Sequence, residues 1–154
     1  MSQESLPEWT ETIIQALPEG ALRESSIFRG QPALVIDAGS LLQVAKLLKE
    51  QFGFRYLIDV TALDQVSNEP RFYTVYHLLA HSTGAILRVK VPVEKEPPRV
   101  ASVVDIWPAA NWHERECFDL FGITFENHPD LRRILLPEGF EGHPLRKDYP
   151  VEGR

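Results

Sequence analysis

The stretch of residues 55–93 reads RYLIDVTALDQVSNEPRFYTVYHLLAHSTGAILRVKVPV. Its three runs are rich in β-branched and aromatic side chains, and the turn formers SNEP and HSTG separate them. In the last run, Leu87, Val89 and Val91 alternate with basic residues. This two-residue period is typical of a strand with one covered face and one wet face. The stretch therefore predicts three consecutive strands of a sheet covered on one side.

Two helices and a hairpin are predicted before this stretch. The segment PEWTETIIQAL (7–17) has apolar residues at helical spacing. The segment SLLQVAKLLKEQFG (40–53) has a longer apolar face, with Ser40 as the predicted N-cap and Gly53 as the predicted C-cap. Between the helices, LRESSIFRG and PALVIDA are β-prone runs joined near Gly30, which predicts a hairpin.

After the three strands, a proline-containing linker, EKEPPR, leads to a second helical region. Ser102 is predicted to cap a short helix, VVDIW, and Asn111 is predicted to cap a longer one, WHERECFDLF. Gly122 is predicted to end that helix, and ITF to add a short strand. The pattern as a whole predicts an α/β fold of two layers, in which helices pack on a mixed sheet of four or five strands.

The last part of the chain has no regular pattern. Its prolines interrupt four clusters, HPDLRR, LLPEGFEGHP, LRKDYP and VEGR. Loops beyond about 12–15 residues are uncommon in compact domains unless they are functional or linkers. Large apolar residues recur in it, namely Leu131, Ile134, Leu135, Leu136, Phe140, Leu145 and Tyr149. We therefore expect an α/β domain over 1–126 and an extended docking arm over 127–154, whose apolar side chains lie on the body or on a partner.

Composition excludes several classes of protein. The net charge of −6 disfavours a nucleic-acid binder, which usually has a basic face. The arm holds five basic and five acidic residues, so the acidic excess lies in the body. A single cysteine excludes an internal disulfide and suits a reducing compartment. The first residues lack a signal-peptide pattern, and no apolar run approaches the roughly 20 residues that span a bilayer.

Cys117 lies in the acidic run ERECFDLF, where acids around a lone thiol suggest an active site. At about 100° per residue, the thiol instead falls on an apolar face with two phenylalanines. There it is expected to be a buried hydrophobe with a raised pKa. Arg115 and Asp119 fall on the opposite face with Glu116, where we expect a surface ion pair between them. A thiol enzyme built on Cys117 with Glu114 or His113 remains the alternative.

Glu114 differs from its acidic neighbours because the same rotation turns it toward the buried side. A buried carboxylate must be paired, or it becomes neutral. The expected partners are arginines of the arm, namely Arg132, Arg133 or Arg146. The sequence therefore predicts that a buried ion pair between Glu114 and one of these arginines holds the arm against the helix.

No motif for a cofactor or a metal is present. His113, His128 and His143 lack the close spacing of a zinc or iron site. The chain has no glycine-rich nucleotide loop, no cysteine cluster for an iron–sulfur centre and no GxSxG elbow. We therefore expect this chain to bind no cofactor; a metal-binding adaptor is the alternative that elemental analysis of the pure protein would test.

Residues 114–149, ERECFDLFGITFENHPDLRRILLPEGFEGHPLRKDY, resemble the signature of the C-subunit family of NADH–quinone oxidoreductase. Its members are the thirty-kilodalton subunits in the peripheral arm of respiratory complex I. The upstream stretches VVDIWPAANWHERE, YLIDVTALD and YTVYHLL are also similar to the family. The resemblance implies a two-layer α/β subunit without cofactors, in an enzyme that passes electrons from NADH through FMN and iron–sulfur centres to quinone and translocates protons.

The resemblance also implies partners and a location. The partners would be the D subunit (the forty-nine-kilodalton subunit), the B subunit and other iron–sulfur subunits, on the cytoplasmic face of the inner membrane. Equivalent subunits occur in membrane-bound hydrogenases and in a deazaflavin-dependent dehydrogenase. The motif alone does not distinguish these complexes from NADH–quinone oxidoreductase. Many relatives continue past the motif along the D subunit or as a fusion to it, and we expect that surface to be absent here.

By the same resemblance, the signature carries structural and docking residues and no catalytic ones. These are Glu114, Arg115, Glu116, Asp119, Gly122, His128, Pro129, Arg132, Arg133, Gly142, Pro144, Leu145, Arg146, Lys147, Asp148 and Tyr149.

Overall fold

The computed structural model describes residues 4–150 of the chain. The predicted pattern of helices and strands is largely confirmed. In chain order the elements are α1 (Glu8–Ala16), β1 (Leu22–Phe28), β2 (Gln31–Ile36), a 3₁₀ turn (Ala38–Ser40), α2 (Leu41–Phe52), β3 (Tyr56–Asp64), β4 (Phe72–Ala80), β5 (Ala85–Val93), β6 (Arg99–Ala101), α3 (Ala110–Phe121) and β7 (Thr124–Glu126).

The main sheet has five strands in the order β1-β2-β5-β4-β3. The β2–β5 pair is parallel, and the β1–β2, β4–β5 and β3–β4 pairs are antiparallel. The sheet is therefore mixed, as the sequence predicts. Leu87, Val89 and Val91 are buried as expected from their alternation, and Leu34 of the neighbouring β2 is buried beside them. Two short parallel strands, β6 and β7, form a second sheet, and Val100 and Phe125 from these strands belong to the same hydrophobic core as the main sheet.

Helix α2 covers the core face of the main sheet with Val44 and Leu48. It ends as predicted at Gly53, whose φ of 76° lies in the left-handed region that glycine adopts without strain. Ser40 occupies the N-cap position as predicted, but its side chain makes no cap hydrogen bond. Asp37 instead accepts the N–H of Gly39 at 3.0 Å and starts the 3₁₀ turn.

The prediction of a helix over VVDIW is wrong. This segment forms a turn after strand β6, and the hydroxyl of Ser102 accepts the N–H of Val104 there at 3.2 Å. The indole of Trp107 donates to the carbonyl of Phe54 at 2.9 Å and holds the turn against the body. Strand β6 pairs with β7, which follows it by about 25 residues, so the local pattern gives no sign of it. Helix α3 begins at Ala110, before the predicted cap Asn111, and has no side-chain cap.

The arm contains no helix or strand between residue 127 and residue 150, and it lies against the body. Gly122 ends α3 in the left-handed conformation, with φ of 75°, as predicted. The closing segment VEGR lies outside the described residues. Among residues 4–150, none of the helices has the length and apolar character needed to cross a bilayer.

Candidate docking site

The arm is held on α3 chiefly by Asp119, which is fully buried. One oxygen of its carboxylate, Oδ2, accepts the backbone N–H groups of Ile134, Leu135 and Leu136 at 3.1, 2.8 and 2.9 Å. Its other oxygen lies 3.1 Å from Nη1 of Arg133. Three N–H donors and one guanidinium therefore converge on a single carboxylate and fix the course of the arm.

The surroundings of Asp119 keep it ionised. Burial is the largest single influence and raises the pKa, but the three backbone N–H groups and the Arg133 guanidinium outweigh it, so the pKa lies below its usual range. The expected surface pair of Asp119 with Arg115 is therefore wrong. Arg115 instead donates to the carbonyls of Arg132 and Arg133 at 3.0 and 3.1 Å.

The arm then returns to the C-terminal end of α3. The N–H of Leu145 donates to the carbonyl of Leu120 at 3.0 Å, and Nε of Arg146 donates to that of Phe121 at 2.6 Å. His143 Nδ1 lies 3.0 Å from the carbonyl of Asp119. The last carbonyls of a helix lack partners within it, so the arm provides the C-terminal donors for α3.

Gly122 is required at this junction for two reasons. Its backbone conformation is left-handed, and a Cβ atom there would lie 2.6 Å from both Arg146 Nη2 and His143 Cδ2. Gly142 has a similar constraint, since φ is 89° and a Cβ atom would lie 2.9 Å from the Tyr149 ring. The two glycines therefore let the arm approach the helix and fold on itself.

A second buried carboxylate, Asp64 at the end of β3, binds the far part of the arm. Arg71 donates to it through Nε and Nη2 at 2.8 and 2.9 Å, and the N–H of Lys147 donates at 2.8 Å. Arg71 also pairs with Asp148 at 3.1 Å. Arg71 foremost, and the N–H of Lys147 further, hold the pKa of Asp64 below its usual range against the effect of burial.

Asp64 and Arg71 are absent from the predicted site. Asp64 lies 83 residues before Lys147 in the chain, so no local pattern links them. The ring of Phe72 also joins this contact, with the guanidinium carbons of Arg71 and Arg146 at 4.7 and 5.2 Å from its centroid.

Glu114 is fully buried, as predicted, but its partners differ from the prediction. The hydroxyl of Ser102 donates to it at 2.5 Å and the N–H of Val103 at 2.9 Å. Burial raises its pKa to about 7, although these two donors oppose the shift. Glu114 therefore holds the turn after β6, and the predicted ion pair with an arm arginine is wrong.

The start of the arm contacts the start of α3 through His128. Its Nδ1 accepts the N–H of Asp130 at 3.0 Å, so Nε2 carries the proton and donates to the carbonyl of Asn111 at 3.2 Å. Arg132 is exposed and pairs with Asp130 at 2.7 Å. The remaining predicted residues lie at or near the surface, with Glu116, Pro129 and Lys147 exposed and Pro144 half-buried.

Two leucines of the arm point away from these internal contacts. Leu135 and Leu145 have 61% and 52% of their surface exposed, although the backbone N–H of each is bound to α3. Trp112, on the exposed side of α3, stacks with Arg115 at 5.2 Å. The arm therefore has a fixed backbone and large apolar side chains directed to the outside, and a surface of this kind loses little conformational entropy when a partner binds it.

The chemistry expected of a catalytic thiol is not available to Cys117. The thiol is buried and lies 3.5 Å from the carbonyl of Val60, to which it donates. Burial, with further contributions from Glu116 and Glu114, raises its pKa far above the usual range, so the nucleophilic thiolate is disfavoured. Within residues 4–150, no group of three or more His, Cys, Asp or Glu side chains is placed to hold a metal ion.

Comparisons with known proteins point to one family. The profile of the respiratory-chain NADH dehydrogenase 30 kDa subunit matches residues 34–154. The C subunit of NADH-quinone oxidoreductase from Rhodopseudomonas palustris (strain TIE-1) is 43% identical over 99% of this chain and 75% of the relative. The C subunit from Moorella thermoacetica is 50% identical over 79% of this chain and 81% of the relative. A solved trypsin-resistant fragment of Nqo5 (1–134) is 31% identical with a TM-score of 0.69, covering 80% of this chain and 99% of the fragment.

Proposed function

The chain belongs to the 30 kDa subunit family of respiratory-chain NADH dehydrogenase, and we propose that its work as a subunit of NADH–quinone oxidoreductase is architectural. The enzyme transfers electrons from NADH to quinone. In this proposal the chain holds neighbouring subunits in place and takes no part in the chemistry. The observation that carries the proposal is the buried Asp119, which binds four donors of the arm and fixes its backbone.

Preorganisation is the physical reason that such an arm suits docking. A disordered segment loses conformational entropy when it binds, whereas a segment already fixed on its own body loses much less. Asp119 and Asp64 bind the arm at its middle and near its end. Leu135 and Leu145 are thereby presented to a partner in one geometry. We propose that the partners are the D and B subunits of the enzyme.

The location and the cofactors follow from the same proposal. The chain is a peripheral part of the complex, on the cytoplasmic face of the inner membrane. FMN and the iron–sulfur clusters belong to partner subunits, and this chain binds neither. The docking residues proposed from the family signature act here by shaping the arm, as Asp119, Arg133 and Gly122 do through their contacts.

Purification of the tagged chain from its native membrane tests the proposal. The D and B subunits should be recovered with it, together with NADH-oxidising activity. Recovery of the chain alone would contradict the proposal. Recovery of hydrogenase activity in place of NADH oxidation would assign the chain to the related membrane-bound complexes.

A matched pair of leucine variants tests the role of the arm. Leu135→Asp places a charge on the exposed side chain of the arm, and Leu42→Asp makes the same change at an exposed site on α2. We expect the first to reduce recovery of partner subunits at least about fivefold and the second to leave it within about twofold. Equal recovery with both variants would show that the arm does not dock.

A further inference from the structure

A row of polar side chains crosses the main sheet on the face opposite the core. Asp59 on β3, His77 on β4 and Arg88 on β5 are register partners on adjacent strands. Nδ1 of His77 lies 2.6 Å from Asp59, and Nε of Arg88 donates to Nε2 of His77 at 3.0 Å. Nη2 of Arg88 lies 3.4 Å from the side-chain oxygen of Gln31 on β2. The row therefore spans four strands and holds Arg88 in one orientation.

This network determines the hydrogen-bonding roles of the two ring nitrogens of His77. A guanidinium nitrogen can only donate, so Nε2 of His77 must accept, and the ring proton lies on Nδ1, from which it is donated to Asp59. The guanidinium of Arg88 thus contacts an imidazole nitrogen and an amide oxygen, and among residues 4–150 no carboxylate pairs with it.

Lys90 is a second cation on the same face of the sheet. It follows Arg88 by two residues on β5, so both side chains point to the same side of the sheet. Its Nζ lies 5.1 Å from the centre of the Tyr73 ring. Within the described part of the chain, neither Arg88 nor Lys90 forms an ion pair. Glu24, on the same row as Lys90, is two strands away, or about 10 Å.

Apolar side chains lie on both sides of the polar row. Ile86 and Tyr56 are exposed on one side and Leu63 on the other, with Ile86 and Leu63 showing 39% and 40% of their surface. A sheet face that remains wet usually carries small polar or charged residues at such positions. Arginine and aromatic residues are enriched where another protein covers a surface, and this face carries both Arg88 and the exposed Tyr56.

We propose that this sheet face docks a protein surface that presents carboxylates between apolar side chains. Arg88 and Lys90 would each receive a carboxylate, and Ile86 and Leu63 would pack against the apolar part of the partner. Arg88 is already oriented by His77 and Gln31, so little side-chain entropy is lost when it pairs. The inference rests on the proposed architectural role, because it supposes that the partner is a neighbouring subunit.

Charge reversal tests the inference in the assembled complex. Arg88→Glu should reduce the recovery of partner subunits at least about fivefold. As the control, Lys46→Glu also replaces a cation with an acid, but at an exposed position of α2, and it should leave the recovery within about twofold. Equal recovery with the two variants overturns the inference. If the wild-type chain recovers no partner, the proposed function itself fails, so the two failures are distinct.

Thiol labelling gives a second test that leaves every charge in place. The native thiol of Cys117 is buried, so Ile86→Cys introduces one reactive site on the face. We expect a maleimide to label it at least about tenfold more slowly in the complex than in the isolated chain. Equal labelling rates overturn the inference. Protection by self-association of the isolated chain, or by anionic vesicles alone, also overturns it, because the occupant would then be a second copy or a membrane.

Discussion

Glu114 and Asp119 lie five residues apart on α3, and both are fully buried, yet their surroundings have opposite effects. Among the described residues, Glu114 receives one hydroxyl and one N–H group and no cation, and its pKa rises to about 7. Asp119 receives three N–H groups and a guanidinium, and its pKa falls. Burial alone therefore does not decide the charge of a carboxylate; the number and charge of its donors do. Glu114 holds the turn after β6, and Asp119 holds the arm against α3.

Removing the Asp119 carboxylate should have the largest effect. Asp119→Ala leaves three N–H groups and the Arg133 guanidinium without their acceptor. Breaking a buried pair of this kind typically costs about 3–5 kcal/mol. Hydrogen exchange of the amides at 134–136 should become much faster, while that of the main sheet changes little. Asp130→Ala, which removes an exposed ion pair with Arg132, is the control, and equal protection in the two variants would contradict the role given to Asp119.

Glu114 should make the stability of the body depend on pH. Its pKa is about 7 in the folded chain and about 4.5 in the unfolded chain, so the folded state binds more protons between these values. The free energy of unfolding should therefore fall by about 3 kcal/mol as pH rises from 4.5 to 7, and change little from this group outside that window. Chemical denaturation at a series of pH values measures the slope.

Glu114→Gln tests the assignment of that slope. A glutamine resembles the protonated acid, since it can accept from Val103 and donate to Ser102. We expect the slope between pH 4.5 and 7 to become shallower, and the variant to be more stable than the wild type at pH 8. Glu116→Gln changes an exposed acid on the same helix and should keep the wild-type slope. An unchanged slope in Glu114→Gln would refute the role of Glu114.

Gly122→Ala should weaken the contact between α3 and the arm by an intermediate amount. The new Cβ would require a left-handed backbone that alanine adopts at a cost of about 1 kcal/mol, and would displace Arg146 and His143. We expect a total loss of about 2 kcal/mol, measured by thermal unfolding. Gly53 has a similar φ, but open space surrounds the position of an added Cβ. Gly53→Ala should therefore lose only the part of the stability that comes from the backbone strain. Equal losses would show that the displaced side chains contribute nothing.

The smallest effect is expected from Cys117, which lies between the two carboxylates on α3. Cys117→Ala removes one buried sulfur and its weak contact with the carbonyl of Val60, at a cost of about 1 kcal/mol. Turnover per assembled complex should stay within about twofold of the wild type, measured as NADH-dependent quinone reduction. A large loss of turnover in a complex that assembles normally would revive the thiol-enzyme alternative.

Local patterns were sufficient for most of the body. The alternation at Leu87, Val89 and Val91 predicts a strand and its buried face, because side chains on a strand point alternately to its two sides. Gly53 and Gly122 end helices as predicted, because they meet the conformational need of a helix end. Helical rotation also turned Glu114 inward correctly, since Glu114 belongs to the face that the body covers.

Tertiary structure alone decided which partners the buried charges received. Helical rotation places Asp119 on the face of α3 away from the body and so predicts that it is exposed, but the arm returns across that face and buries it. Asp64 meets Lys147 from 83 residues away, and β6 meets β7 beyond an entire helix. A periodic pattern determines the side of an element on which a residue lies. Whether that side is wet, and which donors reach it, depends on a distant segment that packs there, and local periodicity carries no information about that segment.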